Sequence, residues 1–210
     1  MADDWRRLLA PGLKKLGVTL PAGGEAALLR YVELLVRWNQ AYNLTAVRDP
    51  AEMVAKHLLD SLAILPFVTG AMVADVGTGA GLPGIPLAVA LPDTRFTLID
   101  SNGKKTRFVT QAKAELKLIN VEVVQARTEA YRPAAPFAQV VSRAFASLKD
   151  FATLAGELAA PGGRLLAMKG AVPREELAEL PAGFRLIAVH PLKVPGLDAE
   201  RCLVEMEKQV

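Results

Sequence analysis

The stretch Asp75-Val76-Gly77-Thr78-Gly79-Ala80-Gly81-Leu82-Pro83-Gly84 carries the densest chemical signal in the chain. It follows the apolar run Met72–Val76 and precedes a helical pattern. Glycines in such a turn permit positive φ and let backbone approach a ligand closely. Read as Gly79-x-Gly81-x-x-Gly84, the turn matches a dinucleotide-binding fingerprint. Pro83 weakens that frame, because it removes a backbone donor and follows the turn too soon for a clean helix N-terminus. Asp100 closes the next apolar run, 23 residues after Gly77. A carboxylate there can accept both hydroxyls of an adenosine ribose. Asp100 thus supports adenosine without choosing the cofactor that contains it.

The other frame, Asp75-x-Gly77-x-Gly79-x-Gly81, resembles the first motif of S-adenosylmethionine methyltransferases. The plain alternative is a turn whose glycines serve packing alone. Three glycines with an acid at each of two strand positions are more than packing requires.

These residues need elements to position them. The chain has 210 residues, 51% hydrophobic and 22% charged, which suffices for a packed core of about one domain. The formal charge is +3 and the sequence pI about 9.1, compatible with an anionic partner without demanding one. Residues 1–69 read as a helical extension. Apolar residues recur at Leu28, Val32, Leu35 and Val36 between Glu25 and Tyr42. A further helix starts at Asp49, with Pro50 at the first position and Glu52 completing a capping pattern. Pro66 and Gly70 end it.

Residues 70–210 alternate short apolar runs with helical patterns. The runs are Met72–Val76, Phe96–Asp100, Val121–Val124, Ala138–Val141 and Arg164–Met168. The helices fall near Ile85–Leu91, Lys104–Leu118, Leu148–Leu158 and Arg174–Leu180. This alternation predicts a parallel α/β sheet covered on both faces. Phe184–His190 and Cys202–Glu207, joined by a loop, predict an antiparallel pair at its end.

The motifs flanking the loop sharpen the resemblance. They are Tyr42-Asn43-Leu44-Thr45-Ala46-Val47-Arg48-Asp49-Pro50, His57-Leu58-Leu59-Asp60-Ser61, Asp100-Ser101-Asn102-Gly103-Lys104-Lys105, Ser142-Arg143-Ala144 and Lys169-Gly170. Together they closely resemble the bacterial small-subunit (16S) ribosomal RNA methyltransferases that modify guanine N7, also called glucose-inhibited division protein B. The likeness runs from about Leu28 to Glu207. One departure is Asn102, where that family often has leucine.

The resemblance implies a Rossmann-like class I S-adenosylmethionine methyltransferase sheet with a C-terminal antiparallel pair and an N-terminal helical extension. Asp75, Gly77, Gly79, Gly81 and Leu82 would line the methionine and ribose side of the cofactor. Asp100, Ser101 and Asn102 would hold the ribose and adenine edge, and Thr128 and Glu129 the adenine. Arg143 would lie beside the methyl donor or the guanine. Arg143, Lys169, Asn43 and Arg201 are candidates to hold the guanine, whose O6 and N7 are acceptors. The implied partner is 16S ribosomal RNA or the small subunit, with no membrane, and the chain is expected to be a cytoplasmic monomer.

Bland readings stand beside these. Asn43 could be a left-handed helix C-terminal residue, Arg48 a surface residue and Phe145 a core residue. His57 could orient Asp60 or a backbone carbonyl. Lys104, Lys105, Arg107, Lys113 and Lys117 could be a solvated helix face, although the first three start the helix beside the cofactor edge and suit phosphates. Arg6, Arg7, Lys14 and Lys15 form a second basic cluster.

Other chemistries fit less well. Pyrimidine C5 methylation usually needs a cysteine nucleophile, and the single cysteine, Cys202, is expected far from the carboxyl edge of the sheet. Exocyclic-amine methyltransferases carry an Asn/Asp-Pro-Pro-aromatic turn where this chain has Ser142-Arg143-Ala144-Phe145. No metal is expected, since His57 and His190 lack ligand spacing. One cysteine excludes an intramolecular disulfide and suits a reducing compartment. The acidic start, Met1-Ala2-Asp3-Asp4, suggests no signal peptide. The apolar stretch Leu82–Leu91 is too short to span a bilayer. An NAD-binding module and a small-molecule methyltransferase remain the competing readings.

Overall fold

The computed structural model describes residues 4–143 and 145–209. Met1, Ala2, Asp3 and Ala144, which entered the sequence reading, lie outside the described residues. The helices are α1 (Leu9–Leu16), α2 (Gly24–Tyr42), α3 (Pro50–Met53), α4 (Asp60–Leu62), α5 (Gly84–Ala90), α6 (Gly103–Glu115), α7 (Leu148–Ala155) and α8 (Arg174–Ala178). The strands are β1 (Met72–Val76), β2 (Arg95–Asp100), β3 (Val121–Gln125), β4 (Phe137–Ser142), β5 (Ala159–Lys169), β6 (Phe184–Leu192) and β7 (Arg201–Lys208).

The seven strands form one sheet in the order β3-β2-β1-β4-β5-β7-β6. β1 to β5 are mutually parallel, and β7 runs antiparallel to both β5 and β6. The chain leaves β1 toward β2 and β3, then returns to β4 on the other side of β1. Such a reversal opens a crevice outside the carboxyl ends of β1 and β4, where α/β sheets bind ligands. The glycine turn follows β1 and Arg143 follows β4, so the two flank this crevice.

Strand alternation divides the core into two layers. Val73, Leu98, Val141, Leu166 and Leu203 face a cluster containing Leu13, Leu28, Val32, Leu58, Ile85 and Phe108. Helices before residue 70 and strands after it therefore bury side chains in one cluster. Ala74, Ile99, Val140, Leu165 and Val204 face the opposite layer, built on Leu148 and Phe151 of α7. Phe145, expected in the core, is partly buried there, its ring 5.3 Å from that of Phe151. No helix among the described residues is long and apolar enough to cross a membrane.

Three local expectations are corrected. The helix expected after Asp49 is not uniform: α3 gives way to a π-wound turn over Val54–Leu59 before α4. Asp49 does cap it, accepting from Ala51 N at 3.0 Å, but Glu52 reaches forward to Lys56 at 2.8 Å instead of back to the cap. Cys202 is not far from the carboxyl edge. It pairs with Lys169, the last residue of β5. An antiparallel strand begins where its parallel neighbours end, so Arg201 and Cys202 arrive at the ligand edge.

Candidate active site

The glycine turn is braced from below by Asp75. Its side chain is fully buried, and Oδ2 accepts from Thr78 Oγ1 at 2.6 Å and from Gly84 N at 2.8 Å. Burial pushes this carboxyl up to about 6. Oδ1 is buried with no hydrogen-bond partner among the described residues. Asp75, expected among the cofactor contacts, thus faces inward and shapes the turn. From behind, Tyr31 of α2 donates its hydroxyl to Ala80 O at 2.6 Å.

Most donors of the turn are already committed. Gly77 N and Thr78 N donate to Ile99 O, and Gly81 N and Leu82 N to Thr78 O. Gly79 N donates to Asp100 Oδ2 at 2.9 Å. With Gly84 N on Asp75, a pyrophosphate would find neither the free amides nor the open helix N-terminus on which dinucleotide sites depend. A Cβ at Gly84 would lie 2.7 Å from Asp75 Oδ2, and one at Gly81 2.6 Å from Ile85 Cγ1. Those two glycines serve packing. At Gly79, with φ +61°, a Cβ would meet only Gly77 O, at 3.9 Å, so this residue keeps an open cradle.

Asp100 ends β2 with each carboxylate oxygen holding one backbone donor: Oδ2 takes Gly79 N, and Oδ1 takes Asn102 N at 2.8 Å. Each oxygen retains capacity for a second donor, as two adjacent ribose hydroxyls require. The residues present therefore fit S-adenosylmethionine better than a dinucleotide. Asn102 caps α6, its Oδ1 accepting from Lys104 N at 2.9 Å. Ser101 is exposed beside it, Thr128 is half-buried and Glu129 exposed on the short turn after β3, and Leu82 is buried. Lys104 and Arg107 are exposed and Lys105 half-buried on the first turns of α6.

Beyond β4 lies a cleft of about 380 Å³, lined by Lys56, His57, Asp60, Arg143, Lys169 and Arg201 among others. Asp60 is 3% exposed. Its Oδ2 lies 3.2 Å from Arg143 Nη1 and its Oδ1 3.1 Å from Arg201 Nε. Arg143 Nη1 also donates to Lys56 O at 3.0 Å, and Arg201 Nη1 to Glu200 O at 2.8 Å. Two guanidinium groups on one carboxylate leave the assembly net positive. His57 bonds Thr45 Oγ1 through Nε2 at 3.0 Å. Burial, and then the charge of Arg143, push its imidazole down to about 4, so it is neutral. His57 orients neither Asp60 nor a backbone carbonyl through that nitrogen.

The structure does not bring every candidate to this cleft. Asn43 ends α2 in the left-handed conformation (φ 49°), and its Oδ1 accepts from Arg48 Nη2 at 2.7 Å. It does not line the cleft. Lys169 does, but its ammonium holds Glu176 at 2.9 Å and Ala146 O at 2.8 Å, fixing the chain after β4 to α8. Arg201, a candidate for the guanine and the RNA, does line the cleft and stands beside Arg143 on Asp60. Asp60, which the sequence marks only as a group that His57 could orient, is instead the partner of both arginines. Cys202 is buried, its thiol directed to Ala171 O at 3.7 Å and pushed up by burial, which disfavours the thiolate that a nucleophile needs.

The comparisons with known proteins agree with this geometry. The family described as GidB, rRNA small subunit methyltransferase G, matches residues 25–204. Ribosomal RNA small subunit methyltransferase G of Pseudomonas aeruginosa LESB58 is 56% identical over 201 residues, 95% of this chain and 94% of that one. Its namesake from Stutzerimonas stutzeri A1501 is 53% identical over 202 residues, again 95% and 94%. The glycopeptide N-methyltransferase MtfA, solved with (S)-adenosyl-L-homocysteine, superposes with a TM-score of 0.61 at 15% identity, covering 72% of this chain and 89% of its own. TrmN from Thermus thermophilus gives 0.55 at 20%, covering 81% and 53%. These two identities speak for the fold, a class I methyltransferase sheet. On the full-length relatives and the matching profile, the chain belongs to the GidB family, rRNA small subunit methyltransferase G.

Proposed function

We propose that this protein transfers a methyl group from S-adenosylmethionine to N7 of a guanine in 16S ribosomal RNA of the small subunit. The observation that carries this reading is one juxtaposition. An adenosine clasp at Asp100, with its loop amides committed, adjoins a cationic cleft whose one imidazole, that of His57, is held neutral.

S-adenosylmethionine supplies an activated methyl group on a sulfonium. The rest falls to the protein. Guanine N7 already carries a free lone pair, so no proton has to leave the nucleophile and no strong base is needed. Proximity and in-line alignment of two bound partners can supply ~7–11 kcal/mol. A guanidinium has five N–H donors, and Asp60 with the Lys56 and Glu200 carbonyls uses only part of those on Arg143 and Arg201. The remainder suit guanine O6 and the phosphates. We read the active form as a monomer, with the cytoplasm as its working compartment.

The test is thermal shift with S-adenosylhomocysteine against NAD, followed by labelled S-adenosylmethionine and unmethylated small subunits. The reading expects stabilisation by S-adenosylhomocysteine alone and label in the RNA. Stabilisation by NAD with unlabelled RNA would reverse it.

A further inference from the structure

A second cleft adjoins the first. It holds about 460 Å³ and lies between the segment after β5, the end of β6 and the start of β7. Gly170 and Arg201 line both clefts, so Arg201 forms a shared wall. That wall is fixed in place by the bond from Arg201 Nε to the buried Asp60.

The charge of this cleft does not come from ion pairs. Arg174 and Lys193 line it, both are exposed, and neither side chain has a hydrogen-bond or ion-pair partner among the described residues. They are two unpaired cations against one lining acid, Glu200, beside Arg201, whose charge is shared with Asp60. The rest of the lining is largely apolar, and Val172 on it is 45% exposed. Exposed apolar surface framed by unpaired cations suits a polyanion whose planar groups can lie on the apolar part.

We propose that this second cleft is a subsite for the nucleotide adjoining the methylated guanine, with Arg174 and Lys193 on its flanking phosphates. This rests on the reading of the substrate as RNA. Its specific content is that on one side of the guanine the chain runs from the catalytic cleft past Arg201 toward β6. A base that enters the first cleft must keep its backbone attached, and the common wall gives that backbone a cationic path out.

The test compares Arg174→Ala/Lys193→Ala with wild type and with Arg95→Ala/Lys117→Ala, which removes the same charge at the opposite edge of the sheet. Methyl transfer to small-subunit RNA is followed across a salt series. Each lost phosphate contact lowers the slope of log affinity against log salt by ~0.7–0.9. The proposal expects the first variant to flatten the slope by roughly 1.4–1.8 and raise KM about tenfold, with kcat and S-adenosylhomocysteine affinity unchanged. The control variant should keep the wild-type slope. Equal slopes in wild type and the first variant, or equal flattening in both variants, would overturn the subsite. Failure of wild type to methylate the RNA at all would instead overturn the substrate reading, and the subsite with it.

Discussion

Asp60 holds Arg143 at 3.2 Å across 83 residues of sequence, and through its other oxygen it holds Arg201 at 3.1 Å, 141 residues away. One buried carboxylate from the N-terminal helices thereby sets the position of two cations delivered by β4 and β7. The cleft is assembled from three separate parts of the chain, and Asp60 is the group they share.

Replacing Asp60 by Ala should therefore cost stability as well as activity. Breaking a buried ion pair by removing one partner costs about 3–5 kcal/mol. The lower end is expected here, because both arginine side chains reach solvent over about a quarter of their surface. Urea unfolding of the variant checks it, and a loss below about 1 kcal/mol would show that the two arginines stay put without Asp60.

Asp75 and His57 should pull the pH dependence of stability in opposite directions. The carboxyl of Asp75 moves from 3.8 to about 6, so its stabilising contribution is complete below pH 3.8 and is lost as pH rises through 6. The imidazole of His57 moves from 6.5 to about 4, so its contribution is complete above pH 6.5 and is lost as pH falls through 4. At 1.36 kcal/mol per pKa unit each is on the order of 3 kcal/mol. Between pH 4 and 6.5 the two largely offset each other in the wild type. Asp75→Asn should lose stability toward pH 4 and His57→Gln toward pH 6.5, measured by urea unfolding at several pH values. Parallel profiles for the two variants would contradict both assignments.

Asp100→Ala should weaken S-adenosylhomocysteine binding by ~1.5–3 kcal/mol, the range for a hydrogen bond to a charged group. It also releases Gly79 N, which the carboxylate now holds at 2.9 Å. Calorimetric titration reads the affinity, and a wild-type value would remove Asp100 from the ribose.

Lys104, Lys105 and Arg107 stand at the start of α6, beside the Asn102 cap. If these three touch phosphates, replacing all of them with Ala should flatten the salt dependence of RNA binding by roughly two units, with cofactor affinity unchanged. An unaltered slope would make this helix face ordinary solvated surface.

The sheet was legible because its strands are short apolar runs between helical periods. Met72–Val76 and Asp100 fall where the sequence puts them. The acid at the end of β2 could be found for the same reason: position along a strand fixes which sheet edge a residue reaches. Residues governed by pairing were not legible in that way. Arg201 and Cys202 reach the ligand edge only because β7 runs antiparallel to β5, and their distance from the glycine turn in sequence hides it. The bond from Tyr31 to Ala80 spans 49 residues with no local pattern to mark it. The π-wound turn over Val54–Leu59 escapes a reading that assumes a 3.6-residue period. Asn43 shows the converse, since a left-handed helix end and a substrate ligand draw on the same short polar residue.

The most direct measurement is nucleoside analysis of small-subunit RNA after incubation with the protein and S-adenosylmethionine, alongside Arg143→Ala. Arg143 follows the strand beside the glycine turn and lines the cleft. Wild type should yield 7-methylguanosine, about one per subunit, with no other new methylated nucleoside. The variant should fold, bind S-adenosylhomocysteine and yield almost none. A methyl group on any other atom, or wild-type yield from Arg143→Ala, would contradict the assignment of this cleft to guanine N7.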